Sequence, residues 1–463
     1  MFSTIRRVFL LLTLTFATSS CATNELVAPE RPESPRLSIT VLPNGQLLAR
    51  YILPRPVESL SYERELDGYR AEVWAPSNPV YQWARDGKGE RLERSDGLAF
   101  SKVELIIPID YRALPESYAP FSPFSSGGTL IHSGQFHFCL ESPCEAPGPL
   151  EITITAQGST IGVSGKRFAD QANVTSRDSG TNIFVGTLQP VDADGFIAII
   201  DPGLPEGIRK HLQRSLPQAM SYYRATYGAL SFAPELYVSI DHRRESRGRI
   251  STQGGVLPGQ IFIHFDGEDA EKRASEGSPL WLDWFFAHEA AHLYQQEGAG
   301  LRAFDTRAAW IHEGGADAMA ALSLFRRDDE AQGYAVDRGH QAIQACQSGL
   351  GETALITAAD HDMFDLNYQC GLLIWLALDQ ELHEAGSGSL HVLNMRFLGR
   401  VRGGQPWNQD VFLDTAIDLG VAPELISDIK RFSMDDRNDR LACLETIVSM
   451  AKRAMERYSR TTI

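Results

Sequence analysis

The chain is expected to be an α+β protein, an all-β region followed by a mainly helical one, and two observations carry that expectation. From Leu37 to about Ile200 the apolar residues alternate or fall in short β-branched runs: "LSITVL", "LLARYIL", "KVELIIPI", "LEITITA" and "FIAII". Gly, Pro, Asn and Asp separate these runs, as they separate strands. From Pro205 to Tyr227 the period changes, and Ile208, Leu212, Leu216, Met220, Tyr223 and Tyr227 recur every three or four positions, marking one face of a helix. Two more strand-like runs follow, "ELYVSI" and "QIFIHF", and the pattern is then helical almost to Ile463. The expected division is residues 37–201 for a β-rich region of two packed sheets and 202–463 for the helical region.

Composition narrows the function classes. The chain has 463 residues, 43% hydrophobic and 22% charged, which is ordinary for a globular protein of two or three domains. A net charge of −16 argues against a nucleic-acid partner, because neutralising phosphates requires a basic face.

Residues 1–21 have the layout of an export signal: Arg6 and Arg7, an apolar run from Val8 to Ala17, then small residues. The run is too short to span a bilayer. "TSSC" resembles a bacterial lipoprotein box, which would make Cys21 the lipid-bearing first residue of the mature chain. Cleavage after Ala22, which removes Cys21, is the alternative, and both readings export the protein; the expected location is the bacterial cell envelope. Residues 22–36 are rich in Pro and Glu and read as a linker. In an oxidising compartment the remaining cysteines are expected to form disulfides. Cys139 and Cys144 flank a turn-like "LESP" and make one expected pair; Cys346 and Cys370 make the second, leaving Cys443, although Cys443 could replace either partner.

The chemistry is concentrated in "AHEAAHLYQQ". On a helix, His288 and His292 are about 40° and roughly 6 Å apart, so both imidazoles lie on one face and can share a tetrahedral Zn²⁺. Glu289 projects beside them, placed to act on water as a general base without being a ligand. The third metal ligand is expected from "WIHEGGADAMAALSLF", a second helix in which Glu313 is the candidate. Asp317, four residues on, shares its face and can take the distal N–H of a zinc-binding histidine. The apolar surroundings of Glu313 and Asp317 argue against a merely solvated acidic face. The paired glycines Gly314 and Gly315 require close packing to offset their cost in a helix. His312 points about 100° from Glu313 and is expected to be a packing or hydrogen-bonded histidine.

H-E-x-x-H followed by W-x-x-E-G-x-A resembles the gluzincin metallopeptidases, the aminopeptidase N-like enzymes and thermolysin among them. That resemblance implies a thermolysin-like zincin domain, one zinc ion per chain, and a peptide or protein substrate. The Glu313–Asp317 spacing looks like thermolysin. "YQCGLLIWLALD" resembles the Y-x-K-G helix of the aminopeptidase N group, which implies a catalytic, oxyanion-binding role for Tyr368 and puts Cys370 where that group has lysine. In the same group an edge strand carries a glutamate that holds the substrate's free amino terminus. The corresponding stretch here, "TQGGVLPGQIFIHF", has no acid, and Gly254 and Gly255 would let a peptide backbone come close. Two other readings share these residues: a non-catalytic surface lipoprotein with a structural zinc, and a zinc hydrolase acting on a non-peptide substrate.

Overall fold

A computed structural model describes residues 34–460 apart from 87–88, 115–116, 141–143, 145–147, 194, 242–250, 268–269, 276–277, 301–304, 350–352 and 435–436. The export segment, Cys21 and most of the linker lie outside the described residues.

The amino-terminal region is built on two sheets. In the larger, nine-stranded one, Arg36–Val41 runs parallel to Leu150–Val163 and antiparallel to Gln46–Val57. The smaller has four strands in the order Phe138–Cys139, Ser59–Tyr62, Gly89–Arg94 and Tyr81–Asp86. Alternation along the strands decides what is inside. Leu37, Ile39, Leu47, Ala49 and Tyr51 from the first sheet meet Leu60, Tyr62 and Leu92 from the second in one apolar core. The region is not purely β: Tyr69–Val73 forms one helical turn, and its Arg70 makes a fully buried ion pair with Glu90 at 2.5 Å.

A second core begins with a five-stranded sheet, ordered Val191–Ala193, Phe196–Ile200, Glu235–Asp241, Gln260–Asp266 and Ser251–Leu257. Its three middle strands are parallel, and the helix Glu206–Tyr227 connects the first two of them. Parallel strands buried on both faces are apolar almost throughout, as in "ELYVSI" and "QIFIHF". The two faces have different neighbours. Ile261, Ile263 and Phe265 belong to the core made with the helices. Ile199, Tyr237 and Phe262 instead pack on Phe124, Leu130 and Phe184 of the β-rich region.

This sheet moves the expected boundary. Phe196–Ile200, expected in the β-rich region, pairs with Val191–Ala193 and Glu235–Asp241 instead. The change from one core to the other therefore falls between Gly186 and Val191, where the nine-stranded sheet ends and the five-stranded one begins.

The rest is helical. Leu280–Gly298, Ala309–Phe325 and Leu366–Glu384 carry the candidate residues, and the last two touch backbone to backbone. A Cβ added at Gly314 would lie 2.3 Å from Gly371 Cα, and one at Gly371 would lie 2.6 Å from the Trp310 carbonyl oxygen. Close packing is thus the reason for glycine in both helices. The disulfide Cys346–Cys370 ties Leu366–Glu384 to the neighbouring helix Asp329–Gly349, and Cys139–Cys144 closes the other expected pair. Cys443 is buried outside both bridges, within 3.7 Å of Asp428.

Candidate active site

The helix Leu280–Gly298 is buried on nearly every side, so His288, Glu289 and His292 are presented from a rigid rod. Tyr223 fixes its height by donating a hydrogen bond to the Ala287 carbonyl at 2.8 Å. Glu313 reaches the same point from Ala309–Phe325. Its Oε2 lies 3.3 Å from His288 Nε2 and 3.1 Å from His292 Nε2, and the two Nε2 atoms are 2.9 Å apart. Ligands at bonds of about 2.0–2.1 Å around a tetrahedral zinc are separated by roughly 3.3 Å, so the spacing suits that ion.

The hydrogen bonds behind the ligands give a second test of the fit. His288 Nδ1 is 2.8 Å from Asp317 Oδ1, which also accepts from Trp284 Nε1 at 2.9 Å. His292 Nδ1 is 2.8 Å from Gln295 Oε1, and Gln295 Nε2 donates to the His312 carbonyl at 3.0 Å, fixing which way the amide faces. Each imidazole therefore holds its proton on Nδ1 and turns the Nε2 lone pair inward. Two lone pairs and a carboxylate oxygen converging at 3 Å repel one another unless a cation lies between them. The donor set fits zinc.

His312 is packed, as expected, but against the site itself. Its ring stacks on His292 at 4.0 Å between centroids, and its Nδ1 is 3.2 Å from the second Glu313 oxygen. Burial, and then His292, push its pKa down to about 4, so it stays neutral.

The remaining groups surround a cavity of about 360 Å³ lined by Phe285, His288, Glu289, Asp317 and Tyr368, among others. Burial raises the pKa of Glu289, the two imidazoles oppose the shift, and Glu313 adds to it. Tyr368, in the first turn of Leu366–Glu384, lies along the His288 ring at 5.6 Å. Burial, then the carboxylates of Glu313 and Glu289, push its phenol far up, so it remains an O–H donor. Cys370, two residues on, is held in its disulfide and is no stand-in for lysine.

Ser251–Leu257 is an edge strand, antiparallel to Gln260–Asp266. On the side where a side chain would project, both glycines are packed against the protein itself. A Cβ at Gly254 would lie 2.6 Å from Phe285 Cζ, and one at Gly255 would lie 2.2 Å from Tyr118 Oη. Tyr118 was not visible from the sequence as a site residue, because it arrives from the β-rich region. Gln295 was not singled out either, although its place three residues beyond His292, on that histidine's helical face, was a local signal for it.

No protein-family model and no curated protein matches the chain. Solved structures do. An aminopeptidase N family protein from Idiomarina loihiensis superposes with a TM-score of 0.59 at 12% identity, covering 89% of this chain and 78% of that one. The fold is that of the aminopeptidase N family. Native yeast LTA4 hydrolase superposes with a TM-score of 0.51 at 11% identity, covering 87% of this chain and 67% of its own. The shared architecture is a sheet-rich region followed by a helical one, and His288, His292 and Glu313 lie in the helical part.

Proposed function

We propose that the chain is an exported zinc metallopeptidase. The observation that carries this reading is the convergence of three lone-pair donors on one point, beside a buried carboxylate and a phenol that share a cavity. His288, His292 and Glu313 would hold the ion, and zinc bound there would supply Lewis acidity. Glu289 takes a proton from the attacking water and delivers it to the departing amine. Its raised pKa suits both transfers. The Tyr368 O–H donates a hydrogen bond to the oxyanion that develops at the scissile carbonyl. Asp317 and Gln295 keep both imidazoles in the tautomer that binds metal.

Two disulfides support maturation in an oxidising compartment, in keeping with the signal layout of residues 1–21. We assign the chain to the bacterial cell envelope, with Cys21 as its lipid attachment point. No helix among the described residues is long and apolar enough to cross a membrane.

Dialysis against a strong chelator tests the peptidase reading. Hydrolysis of a general peptide mixture should vanish with the metal and return with one equivalent of zinc. Retention of hydrolysis in metal-free protein, or a zinc-loaded protein that cleaves no peptide, would contradict it.

A further inference from the structure

Beyond the edge strand lies a larger cavity of about 820 Å³, lined from the helical side by Gln253 and Gly254 and from the β-rich region by Arg64, Tyr111, Ser117 and Tyr118. It adjoins the smaller one. Gly254 backs onto Phe285, which lines the cavity of Glu289 and Tyr368. The wall between the regions is pinned. Gln253 Nε2 donates to the Ser117 carbonyl at 3.1 Å, the Ala119 N–H donates to Gln253 Oε1 at 2.8 Å, and Gln135 Nε2 donates to Ser117 Oγ at 2.9 Å.

Two charged side chains of this cavity are treated unequally. Glu65, at the rim, accepts a 2.8 Å hydrogen bond from Arg85, which also pairs with Asp67 at 2.9 Å. Among the described residues, half-buried Arg64 has long contacts to neutral acceptors: His132 Nε2 at 3.3 Å and the Ser179 carbonyl at 3.4 Å. His132 is neutral, because burial and then Arg64 itself hold its pKa down to about 3. Among the described residues no carboxylate pairs with Arg64. A guanidinium whose charge is partly withdrawn from water and left without a counter-ion is costly, and its planar fork matches a carboxylate.

We propose that Arg64 receives a carboxylate of the substrate, making the chain selective for peptides with an acidic group on the β-region side of the cleft. The proposal rests on the peptidase reading and names its substrate class. A peptide lying along the edge strand directs alternate side chains to one side, so a single position should carry the preference.

Peptide pairs differing by one Glu/Gln exchange, scanned along a cleaved sequence, test it. At one position the wild type should favour Glu in kcat/KM by about tenfold or more, as for one charge-assisted contact. Arg64→Gln should bring that ratio close to one and Arg64→Lys should leave an intermediate value. Amidating the carboxy terminus separates the sources: a preference that survives is for a side-chain carboxylate, and one that disappears is for the chain terminus. A ratio near one at every position in the wild type overturns the proposal without any variant. A ratio that Arg64→Gln leaves intact also overturns it. Calorimetric binding of the same pairs to Glu289→Gln protein separates the two readings. Tighter binding of the Glu peptide, lost in Arg64→Gln, supports the carboxylate site even if no peptide is ever cleaved; equal binding counts against it.

Discussion

Tyr368 Oη has one function in this account, to donate a hydrogen bond to charge that appears only as the peptide carbonyl is attacked. Tyr368→Phe should therefore keep zinc and leave KM near its wild-type value while kcat falls by about 10² or more. A fall of less than about fivefold would make the ring a packing group against His288. Gln295 works one step further back, through His292. Replacing it with Leu removes the acceptor that holds the imidazole proton on Nδ1, and such partners are worth about 10- to 100-fold in metal affinity. Competition with a chromophoric chelator should show that loss in Gln295→Leu, whereas Gln295→Glu, which keeps an acceptor, should retain affinity. Equal affinity in all three proteins would mean that the tautomer is set elsewhere. The site residues were readable wherever a helical period joins them: His288, Glu289, His292, Glu313 and Asp317 are tied by spacings of four or fewer, or by a recognisable second motif. Tyr118 and Arg64 were not readable, because nothing local in a β-rich stretch marks which side chains will face a cleft built by another part of the chain.

At the level of elements, the site depends on helices held closer than side chains normally allow. Gly314 against Gly371 brings the Glu313 helix and the Tyr368 helix together, and Cys346–Cys370 fixes the first turn of the latter. By chain entropy, a bridge across a sequence separation of 24 stabilises by about 3.5 kcal/mol. Cys346→Ala/Cys370→Ala should lower the denaturation midpoint accordingly, with Cys139–Cys144 left intact. An unchanged midpoint would show that helix packing alone holds the turn. The paired glycines signalled close packing from the sequence, but not against which partner. The edge strand shows the converse. Its position was legible from "TQGGVLPGQIFIHF", yet Gly254 and Gly255 make room for Phe285 and Tyr118, contacts that no local pattern reveals. "FIAII" reads as a strand in either sheet; pairing with Glu235–Asp241 assigns it to the second.

On the scale of the molecule, the cleft lies where a β-rich region meets the helical one, and this bears on which peptides fit. No acid on the edge strand is available for a free amino terminus. The acid lining the larger cavity, Glu65, is held by Arg85, which it shares with Asp67, and Arg64 beside it would repel an ammonium group. Acetylated peptides should therefore be cleaved at rates comparable to free ones. Loss of cleavage on acetylation would mean that the chain recognises an amino terminus and acts as an aminopeptidase. The central claim, a zinc site that works with Glu289 as its base, is tested most directly by measuring bound zinc and peptide hydrolysis together in Glu289→Gln protein. One zinc per chain with hydrolysis abolished is the predicted result; undiminished hydrolysis, or loss of the metal along with the activity, would contradict it.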